Sequence, residues 1–504
     1  MTAPLPTGGV PCNDREAARL IASSELLQDK LHYGAGSGTW YLWDGTCHRP
    51  DDGGVTGQAV LWFADRWRAE LEAWRAAYHQ RTWLDLGLEA DPRAVKTELE
   101  KRWKADGHDQ RTTYVWGLAR SGGHKALMHM LSVVCSVPDS LFDEQHPRWL
   151  NCRNGTVNLE TGAIKPHDPS DMLTYCVPVA YKPQESARCP RFWQLAWRMA
   201  GGDYEVAAYV VLALGYALLG ENPEQLIFFI DGPTKSGKSV LLTVARAILG
   251  PLAHESQAEL ICVPKGGNRN ARTENSIRGK RLITITETSA FMHIDEGQLK
   301  RLTGEAIISV NQHYAKTELK TPVTFTGFVA ANDLPSLLNF DDAMGERISV
   351  VPGGPTIPAG ERDKRLAEKI IAEEGESVLA FLVKACVEYH RSGLVMPHAV
   401  RMKTDRYRGQ QDTVANFIAD CCIMVPPGWG QVTAQIQMTD AWAAYRRWAR
   451  GEIRLGKQAF FDHMARQPGV TKVDNGSRAR RFEGLCWNDR MMSMLGDLNP
   501  ESHG

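Results

Sequence analysis

The sequence predicts an α/β protein with a P-loop core, preceded by a mixed helical and β region and followed by a small basic unit. Three observations carry this. Apolar runs that read as strands alternate with amphipathic stretches between 227 and 351, and the first run meets a glycine-bracketed turn, "DGPTKSGKS". Lysine and arginine then gather near the C-terminus: 441–490 holds eleven of them against five acids.

Bulk properties bound the reading. A chain of 504 residues exceeds one ordinary core, so about three or four domains are expected, with boundaries near 200, 355 and 425. Eleven cysteines without a CxxC pair suggest neither a disulfide framework nor a Cys-rich zinc site, and read as thiols of a reducing cytoplasm. A net charge of -1 excludes a uniformly basic chain but leaves room for local patches. The N-terminus lacks a signal-peptide pattern. The longest apolar run, 206–220, falls short of a membrane span, so no membrane partner is expected.

Along the chain, a loose tail to about 30 leads into "GTWYLWDGTCHRPDDGG", whose alternation around a Gly-containing turn reads as a hairpin. From 58 to 131 the period is helical, and most of Trp62, Trp67, Trp74, Trp83, Trp103 and Trp116 are expected in a helical core. "WLNCRNGTVNLETGAIKPHDP" reads as short strands joined by Asn-Gly and Thr-Gly turns. Helices are expected at 192–200 and 204–219. "PGGPTIPAGERDKR" after Val351 reads as a boundary, opening a helical lid or linker over 356–425.

The central turn fits G-x-x-x-x-G-K-[ST] between a strand, "LIFFI", and a helix, "SVLLTVARAIL". Gly232, Pro233, Thr234, Lys235, Ser236, Gly237, Lys238, Ser239 and Val240 form the expected cradle for ATP. Backbone amides turn inward around phosphate oxygens, Lys238 reaches the β- and γ-phosphates, and the Ser239 hydroxyl is placed for Mg²⁺. A second apolar strand ends at Glu287, where a carboxylate can polarise water or support the metal; Thr286 precedes it where many P-loop proteins have another acid. A third strand ends at Asn332, whose amide can orient water. Arg347 stands just before a further strand as a candidate arginine finger. Between these lies a predicted hairpin, 307–314 and 319–325, carrying Lys316 and Lys320, with His313 nearby.

The order of these parts resembles the superfamily 3 helicases, specifically the ATPase half of phage, plasmid and poxvirus primase-helicases. "LNCRNGTVNLETGAIKPHDPSDMLT", "ALGYALLGENPEQLIFFIDGPTKSGKS", "GKRLITITE", "LKRLTGE" and "FVAANDLP" stand close to that family's recurring phrases. The resemblance implies an AAA+-like core with a collar-like N-terminal segment and a ring, usually a hexamer, with each ATP site at a subunit boundary. It implies Asn332 as the sensor and Lys316 as the hairpin lysine on single-stranded DNA. It also implies replication of a phage, prophage or plasmid in a bacterial cytoplasm, with a separate primase or replication protein as a further partner. The family often has two arginines where this chain has Glu346 and Arg347, and only Arg347 carries over. No primase site is evident in the first 200 residues.

The basic C-terminal unit reads as helix, helix and hairpin, resembling a winged-helix domain over 426–504, with Arg478, Arg480 and Arg481 as wing residues for duplex DNA. An ATP-driven helicase is therefore the expected function. A replication initiator or loader that uses ATP only to assemble is the alternative.

Overall fold

The apolar runs of the core assemble as one parallel sheet in a computed structural model, which describes residues 9–86, 91–143, 147–263, 275–286, 288, 292–304, 307–310, 319–337, 342–425, 434–449, 456–474 and 480–496. The chain divides into two units, Met1–Asn158 with Ala163–Tyr181, and Leu159–Gly162 with Lys182–Gly504.

In the first unit, strands His48–Pro50, Thr39–Trp43 and Leu31–Gly34 form an antiparallel set that Ser136–Val137 extends in parallel. The helix Val55–Leu86 follows, its first turn held by the Asp51 carboxylate, which accepts from the amides of Val55 (2.7 Å) and Thr56 (2.8 Å). Its apolar positions Val60, Phe63, Ala64, Trp67, Leu71, Trp74 and Tyr78 recur at helical spacing and are buried together with Trp103, Leu127 and Leu131. Half of the singled-out tryptophans lie in this core. Trp62, Trp83 and Trp116 are about half exposed, because they fall off the buried stripe. Strands Trp149–Cys152, Gly155–Asn158 and Ile164–Lys165 form the small meander that the turn signals indicate.

The second unit holds the parallel sheet. Its strands are β1 (Ile227–Asp231), β2 (Ala253–Glu255), β3 (Leu282–Ile285), β4 (Thr326–Ala331) and β5 (Ile348–Pro352), in spatial order β5-β1-β4-β3-β2. The central strands are buried on both faces, which explains their unbroken apolar runs; Phe228 of β1 stacks on Phe328 of β4 with ring centroids 4.9 Å apart. Of the expected hairpin between β3 and β4, Ile307–Val310 pairs antiparallel with Leu319–Pro322; 311–318 lie outside the described residues, and the second strand stops short of 325.

By packing, the boundary expected near 200 falls earlier. Sequence reasoning ends the N-terminal region at 200, whereas the helix Pro190–Met199 belongs to the second unit. Buried Glu374, from the helix Leu366–Ser392, accepts from the amides of Arg191 (3.1 Å) and Phe192 (3.0 Å) and so caps that helix. The Pro- and Gly-rich segment after Val351, read as a boundary, lies inside the second unit and packs on the P-loop. Gly353 and Gly354 carry the chain against the P-loop and against Gly201, where any side chain would meet backbone atoms.

The C-terminal part begins before 426. Helices Thr413–Cys421, Met438–Trp448 and Lys457–Arg466 pack on an antiparallel sheet in which Arg480–Glu483 lies between Gln435–Gln437 and Thr471–Asp474. Phe417 of the first helix packs on Tyr445 (5.6 Å) and Phe460 (5.9 Å), so this core recruits a helix that the sequence assigns to the lid.

No single helix among the described residues is long and apolar enough to cross a membrane. Cys12, Cys47, Cys135, Cys176, Cys189, Cys421, Cys422 and Cys486 are free thiols.

Where Leu366–Ser392 crosses Tyr204–Tyr216, a Cβ added to Gly215 would lie 2.7 Å from both Ala385 Cβ and Leu382 O. Gly215→Ala is expected to destabilise the protein by about 1–3 kcal/mol in urea unfolding. Gly360→Ala, at a glycine with nothing within 4 Å, is expected to stay within about 0.5 kcal/mol of the parent.

Candidate nucleotide-binding site

The loop between β1 and the helix Lys238–Leu249 is shaped by two left-handed residues, Lys235 (φ 62°) and Gly237 (φ 102°). Gly237 meets that conformation without strain, and it also lies where a Cβ would come 3.1 Å from Leu195 Cδ1. The first bond at the mouth of the helix runs from the Leu241 amide to Gly237 O at 3.0 Å. The amides of Gly237, Lys238, Ser239 and Val240 therefore have no carbonyl within the helix to satisfy, and they form an anion-binding end.

Lys238 is buried, and its ammonium donates to Gly232 O (2.6 Å), Pro233 O (2.7 Å) and Ser236 Oγ (3.3 Å). Burial pushes its pKa below the ordinary lysine value, and the Asp231 carboxylate opposes that shift. Ser239, next in the chain, is exposed. The donor set fits a polyphosphate: free helix-end amides, a desolvated ammonium and an exposed hydroxyl for a metal.

Strand order brings Asn332 here. Because β4 lies beside β1 with Ala331 opposite Asp231, the residue after each strand faces the same edge, and Asn332 Oδ1 accepts from Lys238 Nζ at 3.3 Å. Arg347 lies at the other edge. It precedes β5, whose Ile348 pairs with Ile227 at the start of β1, a strand length of about 16 Å from the loop. Its Nη1 donates to Thr303 Oγ1 (3.0 Å) and its guanidinium lies over Gly304, where a Cβ would come within 2.6 Å. The sequence thus names two groups that the fold joins, Lys238 and Asn332, and one that it holds apart from them.

Glu287, His313, Lys316 and Arg478 lie outside the described residues, and of Lys320 only the backbone pairing with Ser309 is described. Thr286, where another acid was noted as usual, donates from Oγ1 to Glu255 Oε1 at 2.5 Å, and Arg246 pairs with the same carboxylate at 2.7 Å. Glu255 ends β2 and was missed by sequence reasoning. So were Gly353, whose amide donates to Asp231 O (2.6 Å), and Thr356 and Ile357, which bond Thr234 O (2.9 Å) and Lys235 O (3.0 Å). Together 353–357 form a strap behind the loop. In the C-terminal part, two of the expected wing arginines are paired: Arg480 with Asp474 (3.0 Å) and Arg481 with Glu483 (2.7 Å). The reason is local, since each lies on a strand beside an acid. Arg446, Arg447, Lys457 and Arg466 are exposed and have no carboxylate at ion-pair distance among the described residues.

Residues 21–199 match the family described as D5 N terminal like. The chain is 24% identical over 313 residues to "Putative helicase L207/L206" of Acanthamoeba polyphaga mimivirus, covering 58% of this chain and 32% of that protein. It is 26% identical over 247 residues to "Putative helicase 022R" of Frog virus 3, covering 46% of this chain and 25% of that one. The chain thus spans about a quarter to a third of the length of these relatives. Among solved structures, the apo NrS-1 C-terminal region aligns with a TM-score of 0.37 at 10% identity, over 64% of this chain and 88% of that one.

The strap yields a test. A Cβ at Gly353 would sit 2.9 Å from Asp231 O and 3.2 Å from Gly232 Cα, both backbone atoms. Gly353→Ala is expected to weaken binding of a non-hydrolysable ATP analogue about tenfold by titration calorimetry, a loss of about 1.4 kcal/mol.

Proposed function

We propose that this protein is an ATP-dependent DNA helicase of the superfamily 3 primase-helicase type, acting in replication of a phage, prophage or plasmid, assembled as a ring, in the expected case a hexamer; the D5 N terminal like match and the helicase-named relatives support this reading. The observation that carries the reading is the convergence of Lys238 and Asn332 at the phosphate-binding helix end.

In this reading the loop amides and Lys238 hold the β- and γ-phosphates. Mg²⁺, when bound, neutralises phosphate charge, and Ser239 and Glu287 are the residues to hold it. Lys238 exchanges its carbonyl partners, Gly232 O and Pro233 O, for phosphate oxygens. Asn332 then orients the attacking water, and Glu287 takes part in its activation. Arg347 cannot serve its own site from the opposite sheet edge, so it serves a neighbour's, which is why the reading requires a ring. Lys316, with His313 and Lys320, grips single-stranded DNA from the hairpin.

The C-terminal part is read as a winged-helix-like module for duplex DNA. Three helices over a three-stranded sheet support this, with Thr471–Asp474 and Arg480–Glu483 as the wing strands. The exposed cations favour contact through Arg446, Arg447, Lys457 and Arg466, while Arg478, Arg480 and Arg481 remain the wing set to test beside them.

The test is ATP hydrolysis with and without single-stranded DNA, together with strand separation from a tailed duplex. Lys238→Ala is expected to abolish turnover, and Lys316→Ala to keep basal turnover while losing DNA stimulation. Arg347→Ala is expected to lower turnover at least about a hundredfold with nucleotide affinity retained. Turnover indifferent to DNA, with no strand separation, would replace the motor by an ATP-dependent initiator or loader.

Separately, mixing Arg347→Ala with Lys238→Ala protein is expected to restore part of the turnover. A composite site pairs one subunit's intact loop with its neighbour's intact arginine, and rescue would be absent if each subunit worked alone.

A further inference from the structure

At the end of β1, one residue before the loop, stands a carboxylate that a phosphate site does not favour. Asp231 is mostly buried, with a side-chain exposure of 16%, and it lies directly before Gly232, whose carbonyl holds Lys238 Nζ. A triphosphate arriving there meets a fixed like charge in a partly desolvated setting, where electrostatic interactions are stronger than in water. The described structure supplies a counter-charge from far along the chain: Lys403 Nζ lies 2.6 Å from Asp231 Oδ2.

Lys403 is on the helix His398–Gln411, which covers the exposed edge of the sheet. Strand β5 is an edge strand, and the helix satisfies one of its amides, because Thr404 Oγ1 accepts from Val350 N at 2.9 Å. Tyr407 donates its hydroxyl to Pro335 O at 2.6 Å, and Gln411 Oε1 accepts from Leu337 N at 2.9 Å. These three contacts anchor the helix independently of Lys403. The ammonium is therefore delivered to Asp231 by a scaffold that does not need the ion pair to stay in place.

We propose that Lys403 is a positioning residue of the nucleotide site: by neutralising Asp231 it lets the P-loop accept a triphosphate beside a buried carboxylate. The inference rests on the reading of this loop as an ATP site and adds a residue to it. In this role Lys403 need not touch a phosphate. It acts through Asp231, whose charge is also felt at Lys238, where it favours the protonated ammonium. Asp231 thus helps keep Lys238 charged, and Lys403 keeps Asp231 from repelling the ligand.

The experiment is titration calorimetry of the full chain with a non-hydrolysable ATP analogue and Mg²⁺, alongside steady-state KM and kcat for ATP. Lys403→Met is expected to weaken binding and raise KM about tenfold with kcat changed by less than about twofold, and Lys403→Arg to bind within about twofold of the parent. The discriminating variant is Asp231→Asn. If the pair acts electrostatically, Asp231→Asn alone binds within about threefold of the parent, because the repulsion it removes offsets the support it gives to the charge of Lys238, and Lys403→Met with Asp231→Asn recovers the affinity that Lys403→Met loses. A pair that merely ties the helix to the sheet predicts the reverse, with Asp231→Asn as damaging as Lys403→Met and no recovery in the double variant; that result overturns the proposal. Unchanged affinity in Lys403→Met also overturns it. Should the parent itself fail to bind the analogue, or Lys238→Ala bind it equally well, the ATP-site reading falls first and takes this inference with it.

Discussion

The rest of the second unit is organised around a buried ammonium. Lys238 sits at the start of a helix with its charge turned onto Gly232 O and Pro233 O, an arrangement that is tolerable only because every donor finds an oxygen. That requirement constrains the neighbourhood. The loop must pass through left-handed backbone at Lys235 and Gly237, β1 must end where the loop begins, and β4 must lie beside β1 so that Asn332 arrives within reach.

From this follows the division of labour across the sheet. Residues after the strands gather at one edge with the loop: Asn332 after β4, Thr286 after β3, and Glu255 closing β2. Residues before the strands gather at the other, and Arg347 is among them, held by Thr303. In a parallel sheet these edges are a strand length apart, so a cation before one strand cannot reach the chemistry after another in the same subunit. The ring proposed here is the simplest arrangement that gives Arg347 a site to serve. The same geometry explains why the loop needs support from behind, by the strap 353–357 and by the helix that carries Lys403.

The C-terminal part follows a different economy. Its core is aromatic, built around Phe417, Tyr445, Phe460 and Phe482, and leaves its charge on the surface. Counting charges along 441–490 shows the surplus but not its distribution. Folding pairs the strand arginines Arg480 and Arg481 with acids and leaves the helix cations Arg446, Arg447, Lys457 and Arg466 exposed.

By itself the sequence determined what is local. Strand, turn, lysine and helix of the P-loop lie within some twenty consecutive residues, and backbone preference and apolar period act at that range. For the same reason the hairpin at 307–322 and the meander at 149–165 were legible, and so was Asn332 at a strand end. Tertiary structure decided what depends on residues far apart. Glu374 caps a helix that begins at Pro190, Lys403 neutralises Asp231, and Phe417 joins a core that sequence reasoning starts nine residues later. Gly353 and Gly354 show the limit most plainly. Along the chain two glycines between prolines signal a break; in the fold they let backbone pass against backbone behind the loop, meeting Gly232 and Gly201.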